Sequence, residues 1–259
     1  MSEWNTEQLI QADKRFVWHP FTDMRAWCAA EHEPLVLVEG HGALLRDSRG
    51  REYIDGNSSI WTNLHGHNHP HINAAIQRQL QRVAHTSFLG FTNSAAIELA
   101  QAIVALFPNT PLQKVFFSDD GSTGIEVALR IVDQYWQLRG SPRHQFISFE
   151  SGYHGDTAGA ASLGAAAMFQ AKLSRWNFPV VQIADIDGVK ALGPAEVAKT
   201  AAIVLEPLIQ GAAGMRLWPP GTLRALREWC NRTGALLIAD EVMTGLAEPA
   251  ECSRANTKA

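Results

Sequence analysis

The chain reads as an α/β protein with a mostly parallel sheet and helices on both of its faces, on three observations. Short apolar runs recur along it, segments of helical period lie between them, and the runs lack the polar alternation of strands with one wet face. The runs lie at 114–117, 145–149, 179–183, 201–205 and 235–239, all rich in Val, Ile, Leu, Phe or Ala. Between them, Ile125, Ala128, Leu129, Val132 and Trp136 keep a helical spacing, as do Leu223, Leu226, Trp229 and Cys230. Ahead of this core, apolar stretches at 35–38 and 51–54, punctuated by Gly40, Gly42 and Gly50, predict a small antiparallel piece. Helices are expected over 72–83 and 94–106.

At 259 residues, 46% hydrophobic and 19% charged, the chain carries enough apolar side chain for a substantial core. A net charge of -4 with no Lys/Arg-rich run gives no footprint for nucleic acid or an anionic membrane surface. The polar start, with Glu3, Glu7, Asp13 and Lys14, is not a signal peptide, and no apolar run reaches membrane-spanning length, so the expected location is cytoplasmic. Cys28, Cys230 and Cys252 are too few and scattered for a disulfide framework or a zinc cluster and read as free thiols. Small-molecule chemistry is what remains.

Four segments carry the chemistry. Ser118-Asp119-Asp120-Gly121-Ser122-Thr123-Gly124 follows a strand and opens a helix, where unpaired backbone N–H groups and the helix dipole can hold a phosphate; an ordinary N-cap has the same composition. Ser151-Gly152-Tyr153-His154-Gly155-Asp156 follows the next strand, at the sheet end where such folds place ligands, so Tyr153 can stack on a flat ring there; the plain alternative is a glycine-built turn. Glu206 and Asp240 end neighbouring strands. A carboxylate there can keep a pyridinium nitrogen protonated, with metal binding by Glu206, Asp240 and Glu241 as the rival and ordinary wet strand ends as the plain account. His65, His67, His69 and His71 alternate like a metal cluster, but Gly66 and Pro70 break a strand, no acid lies near in sequence, and a hydrogen-bonded turn is expected instead. No Gly-x-Gly-x-x-Gly opens the first core helix, which argues against a Rossmann nucleotide site.

Taken in chain order, His19-Pro20-Phe21-Thr22, the stretches 55–61 and 65–70, Ser118–Thr123, Tyr153-His154-Gly155, the stretch 206–211 and Ala239-Asp240-Glu241-Val242 resemble the adenosylmethionine-8-amino-7-oxononanoate aminotransferases. These belong to the class III branch of the fold-type I enzymes, which depend on pyridoxal 5'-phosphate, and the likeness runs from about 19 to 245. It implies that Gly121, Ser122 and Thr123 hold the phosphate and that Tyr153 and Val242 enclose the ring. It further implies that Asp240 pairs with the ring nitrogen and that His154 and Glu206 belong to the same site. The implied reaction moves an amino group from S-adenosylmethionine to 8-amino-7-oxononanoate, giving 7,8-diaminononanoate for biotin synthesis, in a homodimer. Phe21, Ile60, Trp61 and Tyr153 would line the substrate. Phe21 replaces a usual Tyr and Ile60 a usual Trp, so another class III enzyme with an omega-amino donor stays open. The implied division is 1–60 as part of a small domain and 61–245 as an incomplete cofactor domain.

The resemblance also implies a lysine that carries the cofactor aldehyde as a Schiff base, one strand beyond Asp240-Glu241-Val242, and the chain has no such strand or lysine. Residues 246–259 are polar and unlike the family, and Lys258 is the last residue but one. They read as a frameshift product. The family's continuation, Gly-Phe-Gly-Arg-Thr-Gly-Arg-Met-Phe-Ala-Cys-Glu-His-Glu-Gly-Val, has a codon spelling that yields residues 245–259 and a stop once one T is deleted. Resequencing the locus checks this. The expectation is a chain that is catalytically inactive as written, or a non-catalytic cofactor-binding fragment, with 114–117 left without a strand neighbour and poor solubility alone.

Overall fold

The computed structural model describes residues 5–108, 110–141, 143–164 and 178–245. The reading of 246–259 and the thiol of Cys252 therefore fall outside the described residues. The chain divides into two compact units, 1–92 and 93–259.

In the first unit, α1 (Thr6–Phe16) starts where the Asn5 side chain accepts the Gln8 N–H at 3.1 Å. A short α2 (Met24–Cys28) is capped by Asp23. A three-stranded antiparallel sheet follows, with β1 (Leu37–His41), β2 (Leu44–Asp47) and β3 (Glu52–Ile54) in that order. The expected antiparallel piece is present, with its first strand beginning at 37 rather than 35 and with a further strand, β2, between the two expected ones. Asp47 ties the β2–β3 turn: burial pushes its carboxyl up, but N–H donation from Arg51 and Arg49, with the Arg51 guanidinium and Tyr53 hydroxyl, outweighs this and brings it to about 2.

Next comes α3 (Ser58–Trp61), a single turn in which Ser58, Ser59, Ile60 and Trp61 have φ of 53, 52, 60 and 65°. A left-handed turn of non-glycine residues costs on the order of 1–2 kcal/mol per residue, and Ile60 is β-branched. Helix α4 (Pro70–Leu80) opens on Pro70 at its first position, where the missing N–H loses nothing.

The second unit begins with α5 (Ser94–Ala105), capped by Asn93. Residues 114–117 correct the sequence expectation: the segment belongs to no strand, and Phe116 is 69% exposed. Its composition is that of a buried strand, but strand formation needs a neighbouring ladder, and the described sheet supplies none beside it. Helix α6 (Gly121–Leu138) follows, then β4 (Gln145–Phe149), α7 (Ala158–Leu163), β5 (Val180–Ile183), α8 (Ile186–Lys190), α9 (Pro194–Lys199) and β6 (Thr200–Leu205). A two-residue pair, β7 (Ile209–Gln210) and β8 (Arg216–Leu217), precedes α10 (Thr222–Thr233) and β9 (Leu236–Ala239).

The sheet runs β5-β4-β6-β9 and every pairing is parallel, as the unbroken apolar runs predict. Alternate residues serve opposite faces. Phe146, Ala202 and Val204 pack under Ile125, Leu129, Val132 and Trp136 of α6. Ile147, Phe149, Ile203 and Leu205 pack against Leu226 and Trp229 of α10. The Trp136 indole N–H also donates to the Ala201 carbonyl at 3.0 Å, locking α6 over the buried central strand. Among the described residues no helix is long and apolar enough to cross a membrane.

Candidate functional site

The parallel strands bring the turns after β4, β6 and β9 to one end of the sheet. At the start of α6, Asp120 and Thr123 close a reciprocal cap: the Asp120 carboxylate accepts the Thr123 N–H at 2.8 Å, and the Thr123 hydroxyl accepts the Asp120 N–H at 2.9 Å. The capping reading of this motif is therefore realised, and Thr123 spends its amide and hydroxyl on it. The amides of Gly121 and Ser122, in the first turn, have no acceptor inside the helix.

Two close approaches fix this turn to its surroundings. A Cβ on Gly121 would lie 2.6 Å from a Val242 methyl, so only glycine lets the start of α6 meet the residue after Asp240-Glu241. A Cβ on Gly155 would lie 2.1 Å from the Ser122 hydroxyl oxygen, which itself accepts the Asp156 N–H at 3.2 Å. One turn further along α6, Glu126 accepts the amides of Gly159 and Ala160 and so caps α7.

At the end of β9, Asp240 is buried and accepts the Nδ1–H of buried His154 at 2.7 Å, while its other oxygen accepts the Val242 N–H at 3.3 Å. At the end of β6, Glu206 accepts the Tyr153 N–H at 3.0 Å and the Gly211 N–H at 2.8 Å. Burial pushes the Glu206 carboxyl up and those two amides pull it back. Glu206 thus holds the Tyr153 backbone and the Gly211 backbone together. The Tyr153 hydroxyl donates to Asp156 at 2.8 Å, and burial first, then this bond, push its ionisation up. Gly121, Ser122, Thr123, Tyr153, His154, Glu206, Asp240 and Val242 thus form one connected cluster, and among the described residues it contains no lysine.

Phe21, Ile60 and Trp61 lie in the first unit. Phe21 is 69% exposed at φ 51°, next to a loop held where Asp13 accepts His19 Nε2–H at 2.9 Å and the Trp27 indole N–H at 2.8 Å. Ile60 is 68% and Trp61 38% exposed on the left-handed turn. The four alternating histidines do not gather into one cluster: the rings of His65 and His69 lie 6.0 Å apart, His67 is bound between Asp55 and Asn63, and His71 is inside α4. An acid does meet the histidine run, but it is Asp55, twelve residues earlier, which proximity in sequence concealed. Among the described residues no group of three or more His, Cys, Asp or Glu could hold a metal ion.

The model of the class-III aminotransferase family matches residues 27–251, six residues past 245, where the sequence likeness was expected to end. The adenosylmethionine-8-amino-7-oxononanoate aminotransferase of Geobacter sulfurreducens is 39% identical over 95% of this chain and 58% of its own length. The solved enzyme of that name from Methanocaldococcus jannaschii superposes with a TM-score of 0.88 at 34% identity, covering 93% of this chain and 56% of that one. An amine transaminase from an uncultivated Pseudomonas species, solved with pyridoxal phosphate bound, gives a TM-score of 0.81 at 30% identity over 88% and 56%. The chain spans little more than half the length of the relatives it matches.

Proposed function

Because the chain belongs to the class-III aminotransferase family, we propose that it carries the pyridoxal-phosphate half of a site for transfer of an amino group from S-adenosylmethionine to 8-amino-7-oxononanoate. The observation that supports this most is the chain of contacts from Gly121 to Val242 to Asp240 to His154. It sets a phosphate-accepting helix start beside a buried carboxylate, the two ends that a phosphorylated pyridine presents.

When bound, pyridoxal phosphate supplies an electron sink through which an amine and a carbonyl exchange places. The residues present fit it. The amides of Gly121 and Ser122 would donate to the phosphate, and the Asp240 carboxylate would hold a proton on the ring nitrogen. His154 orients Asp240 by donating to it, Tyr153 and Val242 would cover the ring faces and exclude water, and Glu206 fixes where Tyr153 stands. Thr123 keeps the helix start in shape. In the first unit, Phe21, Ile60 and Trp61 would meet substrate. Phe21 and Ile60 favour a second reading, an omega-amino donor in place of S-adenosylmethionine, because a lost hydroxyl and a lost indole alter the polar contacts a large cationic donor would use. The reading extends to a homodimer in the cytoplasm, checked by scattering mass and by cell fractionation.

Since the described cluster contains no lysine, the residues present would hold pyridoxal phosphate by non-covalent contacts alone. Titration with pyridoxal phosphate is expected to quench the protein's fluorescence saturably, whereas borohydride treatment followed by denaturation leaves no added mass. A pyridoxyl adduct on a lysine would show that a covalent anchor is present; absence of saturable binding would remove the cofactor reading itself.

A further inference from the structure

The left-handed turn α3 is over-determined by its neighbours in a way that its own residues cannot explain. Four successive non-glycine residues keep positive φ, and of the turn's apolar side chains Ile60 is mostly exposed and Trp61 more than a third exposed. Strain of this kind persists only where the surroundings enforce it, and it gathers at sites that need a particular presentation.

The enforcement is visible. Asp55 accepts the Ser59 N–H at 2.9 Å on one oxygen, and on the other it accepts the Ser59 hydroxyl and the His67 Nε2–H, both at 2.8 Å. His67 Nδ1 accepts from the Asn63 amide at 3.1 Å, so the ring's proton sits on Nε2 and points at Asp55. His67 is itself anchored. Its backbone pairs both ways with Gly42, at 3.0 and 2.8 Å, and its side chain fills the space that a Cβ on Gly40 would need. The Asp55 N–H donates to Ala43 at 2.9 Å, so acid and imidazole both hang from the β1–β2 hairpin. Within the turn, Asn57 accepts the Ile60 and Trp61 amides, and Ser58 accepts those of Thr62 and Asn63.

We infer that Asp55 and His67 are positioning residues: a hydrogen-bonded clamp on the β1–β2 hairpin that holds Ser58–Trp61 left-handed and thereby presents Ile60 and Trp61 to the amino donor. For what the turn presents, this rests on the function proposed above; the clamp itself is a statement about the turn, tested without ligand. Asp55 and His67 bond to Gly42, Ala43, Ser59 and Asn63, all within the first unit.

Amide hydrogen exchange in the full chain, resolved to single residues, tests it. Asp55→Ala should speed exchange at Ser59, Ile60, Trp61 and Thr62 at least tenfold, and His67→Leu about threefold, with the β2–β3 amides of Leu45 and Tyr53 unchanged. Adding Ser59→Gly to Asp55→Ala should recover part of the lost protection, because glycine stays left-handed without a clamp. The clamp is overturned if both single variants leave those four amides unchanged, if exchange rises equally across β1–β3, or if Ser59→Gly gives no recovery. A working clamp in a chain that fails to bind pyridoxal phosphate would sink the functional reading and leave the clamp standing.

Discussion

Gly155→Ala is expected to cost on the order of 3–5 kcal/mol of stability and to weaken pyridoxal phosphate binding at least tenfold, through strain and overpacking together. Gly155 has φ 123°, a region L side chains rarely enter, and a methyl there would lie 2.6 Å from the Ser122 Cβ and 2.9 Å from its Cα as well as against the hydroxyl. Ser122 cannot retreat, because the Asp120–Thr123 cap fixes the turn to which it belongs. A urea melt reads the first effect and a fluorescence titration the second. Ser122→Gly added to Gly155→Ala should remove the contacts with the Ser122 hydroxyl and Cβ but neither the one with its Cα nor the backbone strain, so only part of the stability returns. A single variant that melts within about 1 kcal/mol of the parent chain would refute this account of the close approach.

Asp240→Ala should destabilise by about 1–3 kcal/mol, since it leaves the buried Nδ1–H of His154 without its acceptor. Asp240→Asn separates structure from chemistry. The amide oxygen can still accept from His154, at the loss of the longer 3.3 Å bond from the Val242 N–H, so the melt should shift by about 1 kcal/mol and by less than in Asp240→Ala, but a neutral group no longer favours a protonated ring nitrogen. Cofactor affinity should therefore fall at least tenfold in both variants, with the bound absorbance altered in Asp240→Asn. Equal affinity in Asp240→Asn and the parent chain would mean that the carboxylate faces something other than the ring.

Much of this was legible because the sheet is buried on both faces. The runs at 145–149, 180–183, 200–205 and 236–239 declare themselves by continuous hydrophobicity, and α6 by Ile125, Leu129, Val132 and Trp136. Residues 114–117 have the same composition and fail as a strand, since composition records the wish for burial and not the presence of a neighbour. Strand β2 escaped notice because four residues with Arg46 and Asp47 among them carry little period, and α1 because most of its residues are polar. At the site, glycine and acid positions could be read from motifs in order. The partners could not: His154 and Asp240 are 86 residues apart, and Glu206 acts through a backbone amide that leaves no residue signature. The left-handed turn is invisible for a related reason, as none of its four residues is a glycine.

The pairing of Leu205 with Ala239 sets how far Asp240 stands from the rest of its neighbours, and the Asp240 N–H donating to Leu205 at 2.8 Å fastens that alignment. Sliding β9 by one residue would carry the carboxylate about 3.3 Å along the strand and swing it to the opposite side of the pleat. Trp136, bonded to the Ala201 carbonyl, ties α6 and the turn that opens it to β6, the same strand against which that alignment is set.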